Sequence, residues 1–157
     1  MSREYPSHPR VGVAAVVLRD NQVLLVQRGR EPGKGSWGLP GGMLELGETL
    51  AEGARREVME ECGVEIEVGP LVAVFEPMQR DEDGRLRFHY VVVDYLARYL
   101  SGEPRAGDDA DDARWVDLDA LERLPMRKET REVIWKAVEM AGPVYLSTQP
   151  YTSSRHP

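Results

Sequence analysis

Residues 49–63 constrain this chain more than any other segment, because they punctuate a helix and then load it with like charge. Thr49 followed by Glu52 is a capping-box pattern that opens a helix. Gly63 stands where a left-handed residue ends one. Between them Ala51, Ala54, Val58 and Cys62 recur on an apolar side. Glu57, Glu60 and Glu61 fall at i, i+3 and i+4, so they share another face with β-carbons roughly 5–6 Å apart. Like charges at that spacing repel. Glu60 and Glu61 also occupy the last turn, where the macrodipole disfavours anions by ~0.3–1 kcal/mol each. One reading is a solvated acidic helix face. The other is a cation site, since local rules are broken mostly where function demands it. Mg²⁺ takes oxygen ligands in octahedral geometry and leaves positions for phosphate oxygens.

Around this helix the patterning is that of strands. Val11–Leu18 is apolar and β-branched, Asp20-Asn21 is turn chemistry, and Val23–Gln27 reads as the returning strand of a hairpin. Gly29–Gly42, with six glycines and two prolines, predicts a loop. Glu65–Met78 is a long β-type stretch broken by Gly69-Pro70. Asp81–Gly84 is a turn, and Arg85–Tyr99 is a strand pairing with the one before it. Ser101–Asp112 is a Gly- and Asp-rich loop, and Arg114–Val116 a short strand. Leu118–Leu124 and Lys128–Met140 read as helices. In the second, Val133, Ile134, Ala137, Val138 and Met140 cluster on one face before Gly142-Pro143 stops it. The order predicts an α/β domain with a mixed sheet over residues 1–144, followed by a polar tail at 145–157.

The 157 residues carry 27 acids and 20 bases, a net charge of −7. That balance argues against a nucleic-acid partner, since nothing draws the chain to a phosphate backbone. It also means that a small phosphate substrate needs local cations to bind. No apolar run approaches the length of a membrane span. A single cysteine, Cys62, excludes an internal disulfide and fits a cytoplasmic protein.

Read from Gly42, the chain runs through five residues to Glu48, then seven more to Arg56-Glu57-Val58-Met59-Glu60-Glu61-Cys62-Gly63-Val64. This resembles the Nudix box, G-x5-E-x7-R-E-U-x-E-E-x-G-U with U aliphatic, at every specified position. The preceding Trp37-Gly38-Leu39-Pro40-Gly41 is similar to the family's approach to the box. The resemblance implies an α/β/α sandwich and a Mg²⁺-dependent hydrolase of phosphoanhydride bonds, in which Mn²⁺ substitutes. It implies that Glu57, Glu60 and Glu61 ligate metal together with the Gly41 carbonyl. It also implies that Glu48 and Arg56 fix the loop and helix, and that Gly42 and Gly63 are structural. Gly53, one turn before Glu57, either leaves room for a diphosphate or is a tolerated helix glycine. Many relatives are homodimers, so a homodimer is expected.

The general base stays open between the box carboxylates, Glu57 and Glu61, and the loop Asp108-Asp109-Ala110-Asp111-Asp112, where Asp109 is the first choice and Asp112 stands behind it. Arg28 and Lys34 are candidates for holding a phosphate, and Trp37 for stacking on a base or filling the core. Three functions remain: hydrolysis of ADP-ribose to AMP and ribose 5-phosphate, pyrophosphohydrolysis of oxidised or non-standard nucleoside triphosphates, and non-catalytic binding of a nucleotide sugar.

Overall fold

The computed structural model describes residues 3–31, 33–107 and 109–146. At its centre lies β1 (Arg10–Arg19), buried without a break from Gly12 to Leu18. Such a run suits a strand covered on both faces. Asp20, at φ 53°, turns the chain into β2 (Gln22–Arg28), with Leu18 opposite Val23.

The stretch 29–42 is not wholly a loop. It contains β3 (Trp37–Gly38), paired with the end of β2, and enters β4 (Gly41–Met43), paired with the start of β1. The glycines that argued for a loop are what permit the second pairing. A Cβ on Gly41 would overlap the Val13 carbonyl oxygen and lie 2.7 Å from Ala14 Cα.

After α1 (Leu50–Cys62) come β5 (Glu65–Phe75), β6 (Met78–Arg80) and β7 (Leu86–Ser101). The β5–β7 register shifts between Val68 and Leu71, where Pro70 cannot donate to the ladder. The Asp81 carboxylate accepts from Asp83 N and Arg85 N to close the β6–β7 turn. β8 (Ala110–Asp117) is longer than the three residues expected, because β2 offers it partners along its whole length and draws the end of the acidic loop into the sheet. Asp108 lies outside the described residues.

The sheet runs β3-β2-β1-β7-β5, with β4 on β1, β6 on β7 and β8 on β2. β1 and β7 are parallel and the other pairs antiparallel. Successive side chains of β1 serve opposite faces. Ala15 and Val17 pack with Ala54's helix neighbours Val58 and Cys62 of α1. Val16 and Leu18 pack with Val133, Ile134 and Ala137 of α2 (Lys128–Met140). The result is the α/β/α sandwich. Ala51 is exposed and Gly53 takes its place on the buried side of α1. Met140 is exposed on α2. Leu118–Arg123 is a 3-10 helix.

The boundary at residue 144 falls inside α3 (Pro143–Leu146). Tyr145 and Leu146 pack on the α2-side core, and Leu146 O accepts from Asp20 N at 2.9 Å, so the chain stays part of the domain through 146. Residues 147–157 lie outside the described residues. Among the described residues no helix is long and apolar enough to cross a membrane.

Candidate active site

The box opens with a latch. Arg56 donates from Nε to Glu48 Oε2 at 2.6 Å and from Nη2 to Glu48 Oε1 at 2.8 Å, a two-point pairing that fixes both planes. Nη2 also reaches Met43 O at 3.1 Å, and Glu45 N donates to Glu48 at 2.9 Å. The bonds from Arg56 hold Glu48 down at a pKa of about 2. Loop 43–48, helix α1 and strand β4 are thereby joined through one guanidinium. Thr49 and Glu52 form the capping box at one end of α1, and Gly63, at φ 72°, closes the other.

Arg56 also neutralises the acidic face. Its Nη1 lies 2.8 Å from Glu57 Oε1 and 3.1 Å from Glu60 Oε2. Glu61 points under the loop, where its Oε2 accepts the Gly41 N–H at 2.9 Å. Burial pushes Glu61 up to about 7, against the lowering effect of that N–H. Burial raises Glu57 too, against its bond from Arg56. Among the described residues no three acidic side chains converge as a finished ligand set. The donor chemistry nevertheless fits a hard divalent cation, since carboxylate oxygens of Glu57, Glu60 and Glu61 and the Gly41 backbone all line one cavity.

That cavity measures about 400 Å³. Asp109 lines it, ion-paired to Arg30 at 3.1 Å. Arg28 lines it too; desolvation by burial lowers the arginine's pKa, and the charge of Glu61 opposes that shift. Trp37 is buried in the α2-side core with one edge on the cavity wall, and Arg114 lies 5.0 Å from its ring. Lys34 is not brought to the cavity. Gly33 and Gly35, both at positive φ, make a tight turn that leaves Lys34 on the exposed surface. Asp112 pairs with Arg114 instead. Gly53 leaves no room for a diphosphate, because a Cβ there would meet Leu44 at 2.9 Å and Glu48 at 3.3 Å. It allows close packing of α1 on the loop.

Two glycines give contrasting tests. A Cβ on Gly42 would overlap the Glu57 carboxylate, a movable side chain, whereas one on Gly41 would meet fixed backbone of β1. Gly42→Ala is expected to displace Glu57 and lower kcat by at least ~10-fold at nearly unchanged melting temperature. Gly41→Ala is expected to destabilise the fold by about 1–3 kcal/mol, as overpacking does. Thermal melts beside steady-state kinetics separate the two.

Residues that the sequence reading passed over also line the cavity: Arg30, Arg127, Phe75, Tyr90 and Asp94. Asp94 is 1% exposed, the sole buried charged residue among those described. The signal was present, an acid in the middle of the apolar run Val91–Ala97. Burial pushes Asp94 up to about 7 from 3.8. A raised folded-state pKa means stability that is full at low pH and is lost as pH rises from about 4 through 7. Asp94→Asn removes the titration. Its melting temperature is expected to exceed that of wild type increasingly from pH 4 to pH 8. A constant difference across that range contradicts the assignment.

A family model described as the NUDIX domain matches residues 8–136. The ADP-ribose pyrophosphatase of Methanocaldococcus jannaschii is 38% identical over 122 residues, 78% of this chain and 70% of that protein. A MutT NUDIX hydrolase from Burkholderia pseudomallei superposes with a TM-score of 0.70 at 35% identity, covering 83% of this chain and 98% of that one. The NUDIX domain of Shewanella oneidensis NrtR, solved with ADP ribose, gives 0.69 at 26% identity, covering 86% and 90%. Members of the family are in general dependent on divalent metal. Latch, acidic helix face and glycine-bound loop thus stand in a sandwich shared with these proteins, and the chain belongs to the Nudix family of hydrolases that act on phosphoanhydride bonds.

Proposed function

We propose that this hydrolase cleaves ADP-ribose to AMP and ribose 5-phosphate. The observation that carries the reading is the cavity itself. At about 400 Å³ it falls in the range of small-molecule sites, and it sets carboxylates, arginines and an aromatic wall around one space. The name of the Methanocaldococcus relative supports the substrate.

Glu57, Glu60, Glu61 and the Gly41 carbonyl would hold Mg²⁺, with Mn²⁺ as a substitute. The ion supplies charge neutralisation at the phosphates. Arg28 and Arg30 sit at the cavity edge to bind phosphate oxygens, and Arg127 joins them from the N-terminal end of α2. Arg56 and Glu48 hold the helix and loop in register. Glu57 accepts the proton of the attacking water, and Asp109, steered by Arg30, is the competing acceptor. Trp37 and the neighbouring apolar wall border the nucleoside.

A panel of ADP-ribose, NADH, diadenosine polyphosphates, GDP-sugars and deoxynucleoside triphosphates, with Mg²⁺ and then Mn²⁺, tests the reading. ADP-ribose should give the highest kcat/KM, with AMP and ribose 5-phosphate as products. Faster release of pyrophosphate from a triphosphate would transfer the assignment to nucleotide pyrophosphohydrolysis.

A further inference from the structure

Asp94 has no use in the mechanism above, yet its position is costly. A buried carboxylate without compensation loses its hydration for nothing. Such a group is retained at a folded protein's heart only when something satisfies it. Its Oδ2 has no hydrogen-bond partner among the described residues. No charged neighbour offsets its burial, the one cause of its raised pKa.

The strands explain why. Asp94 lies opposite Ala14 of β1 on one side and Ala73 of β5 on the other. Neither alanine can donate from its side chain, so the sheet itself offers the carboxyl no side-chain partner at that level. β7 pairs with β1 in unbroken register from Tyr90 to Arg98, so Tyr90, Val92, Asp94 and Leu96 share one face. Leu96 belongs to the core under α2. Tyr90, Val92 and Asp94 line the cavity, and Phe75, opposite Val92, lines it with them. One buried acceptor therefore stands at the foot of an apolar, partly aromatic wall, inside the cavity that also holds the acidic face of α1.

We infer that Asp94 is a specificity-determining residue whose carboxyl accepts a hydrogen bond from the exocyclic amine of the substrate's nucleobase. The inference rests on the nucleotide substrate proposed above and names which part of it this wall receives. A flat base covers the apolar surface of Phe75, Tyr90 and Val92 as a sugar cannot, since both faces of a base are π-surface. An amine on its edge supplies the donor that Asp94 lacks. A site with a buried polar group made for one partner rejects the analogue without it, because the group is then left unpaired.

The test compares AMP with purine riboside 5′-monophosphate, which differs only in lacking the amine. Calorimetric titration of the wild type should show AMP binding about 10- to 100-fold more tightly, the range for a hydrogen bond to a charged or ionisable group. Asp94→Leu should bring the ratio close to one. Asp94→Asn keeps an acceptor oxygen and should retain most of the preference. Each ratio is taken within one protein, so a reduced folded fraction does not alter it, and the wild-type comparison needs no variant. Equal affinity of the wild type for the two nucleotides overturns the inference. So does an undiminished preference in Asp94→Leu, or a loss in that variant confined to ribose 5-phosphate binding. Failure of the wild type to release AMP from ADP-ribose overturns the proposed substrate instead, and leaves the AMP ratio as an independent reading of Asp94.

Discussion

Removal of divalent cations is expected to abolish turnover, and added Mg²⁺ to restore it. The expectation follows from charge. The chain carries −7 overall, the cavity holds Glu57, Glu60, Glu61 and Asp109, and the substrate brings a diphosphate into the same space. Two like charges 4 Å apart repel by about 4 kcal/mol at the effective dielectric near a protein surface. Arg56 is already engaged by Glu48, Glu57 and Glu60, so it is not free to neutralise phosphate as well. A bound cation should therefore register in stability too. At a hundredfold excess over Kd the gain is about 2.7 kcal/mol by mass action, or roughly 5–10 °C in melting temperature for a domain of this size. The Glu57/Glu60/Glu61 triple Gln variant should lose that shift. Full activity in rigorously metal-free buffer, or an undiminished shift in the triple variant, removes the cation from these residues.

Glu57→Gln is expected to lower kcat by at least the ~10²-fold typical of lost acid–base catalysis, with a smaller change in KM. The exchange preserves size and can still accept a bond from Arg56, so the helix and its latch should survive. What goes is the negative charge and most of the basicity. Asp109→Asn is expected to do less. Asp109 is on a more open surface, with its side chain 45% exposed against 18% for Glu57, and its pairing with Arg30 spends part of its charge. The decisive comparison is both single variants at saturating Mg²⁺ on the best substrate of the panel. A near-normal Glu57→Gln beside an inactive Asp109→Asn would move the base to the loop before β8.

The fold was legible where local rules are strong. The capping box, Gly63 and the Nudix spacing marked α1 almost to the residue, because those signals are set by backbone geometry within a few positions. The break expected at Gly69-Pro70 is a shift of register within one continuous strand, β5, rather than an interruption of it. What local pattern could not carry was pairing at long range. β3 and β4 have too few residues for any periodicity, and they exist because β2 and β1 present free edges to them. β8 outgrew its expected length for a like reason. At the site, the acidic face could be read from i, i+3, i+4 spacing. Its local neutralisation by Arg56 depends on the rotamer that Glu48 imposes from another segment. Lys34 was misplaced because two positive-φ glycines decide its direction. Asp94 was in plain view as an acid in an apolar strand, but its significance needed the alanines on either side of it.

The parallel pairing of β1 with β7 sets an order of assembly. Residues 41–61, with the latch and the acidic face, are synthesised well before residue 94. α1 can dock on β1 and β4 through contacts nearer in sequence than those that β7 makes with β1. The wall bearing Tyr90, Val92 and Asp94 arrives only when β7 aligns with a strand some eighty residues earlier, Ala14 beside Asp94. Closing so long a loop is the slow kind of step, since its entropy is lost before the contacts that reward it have formed. A nascent or partly unfolded chain can thus present its carboxylates without the wall beside them, and the complete cavity becomes a property of the finished sheet alone.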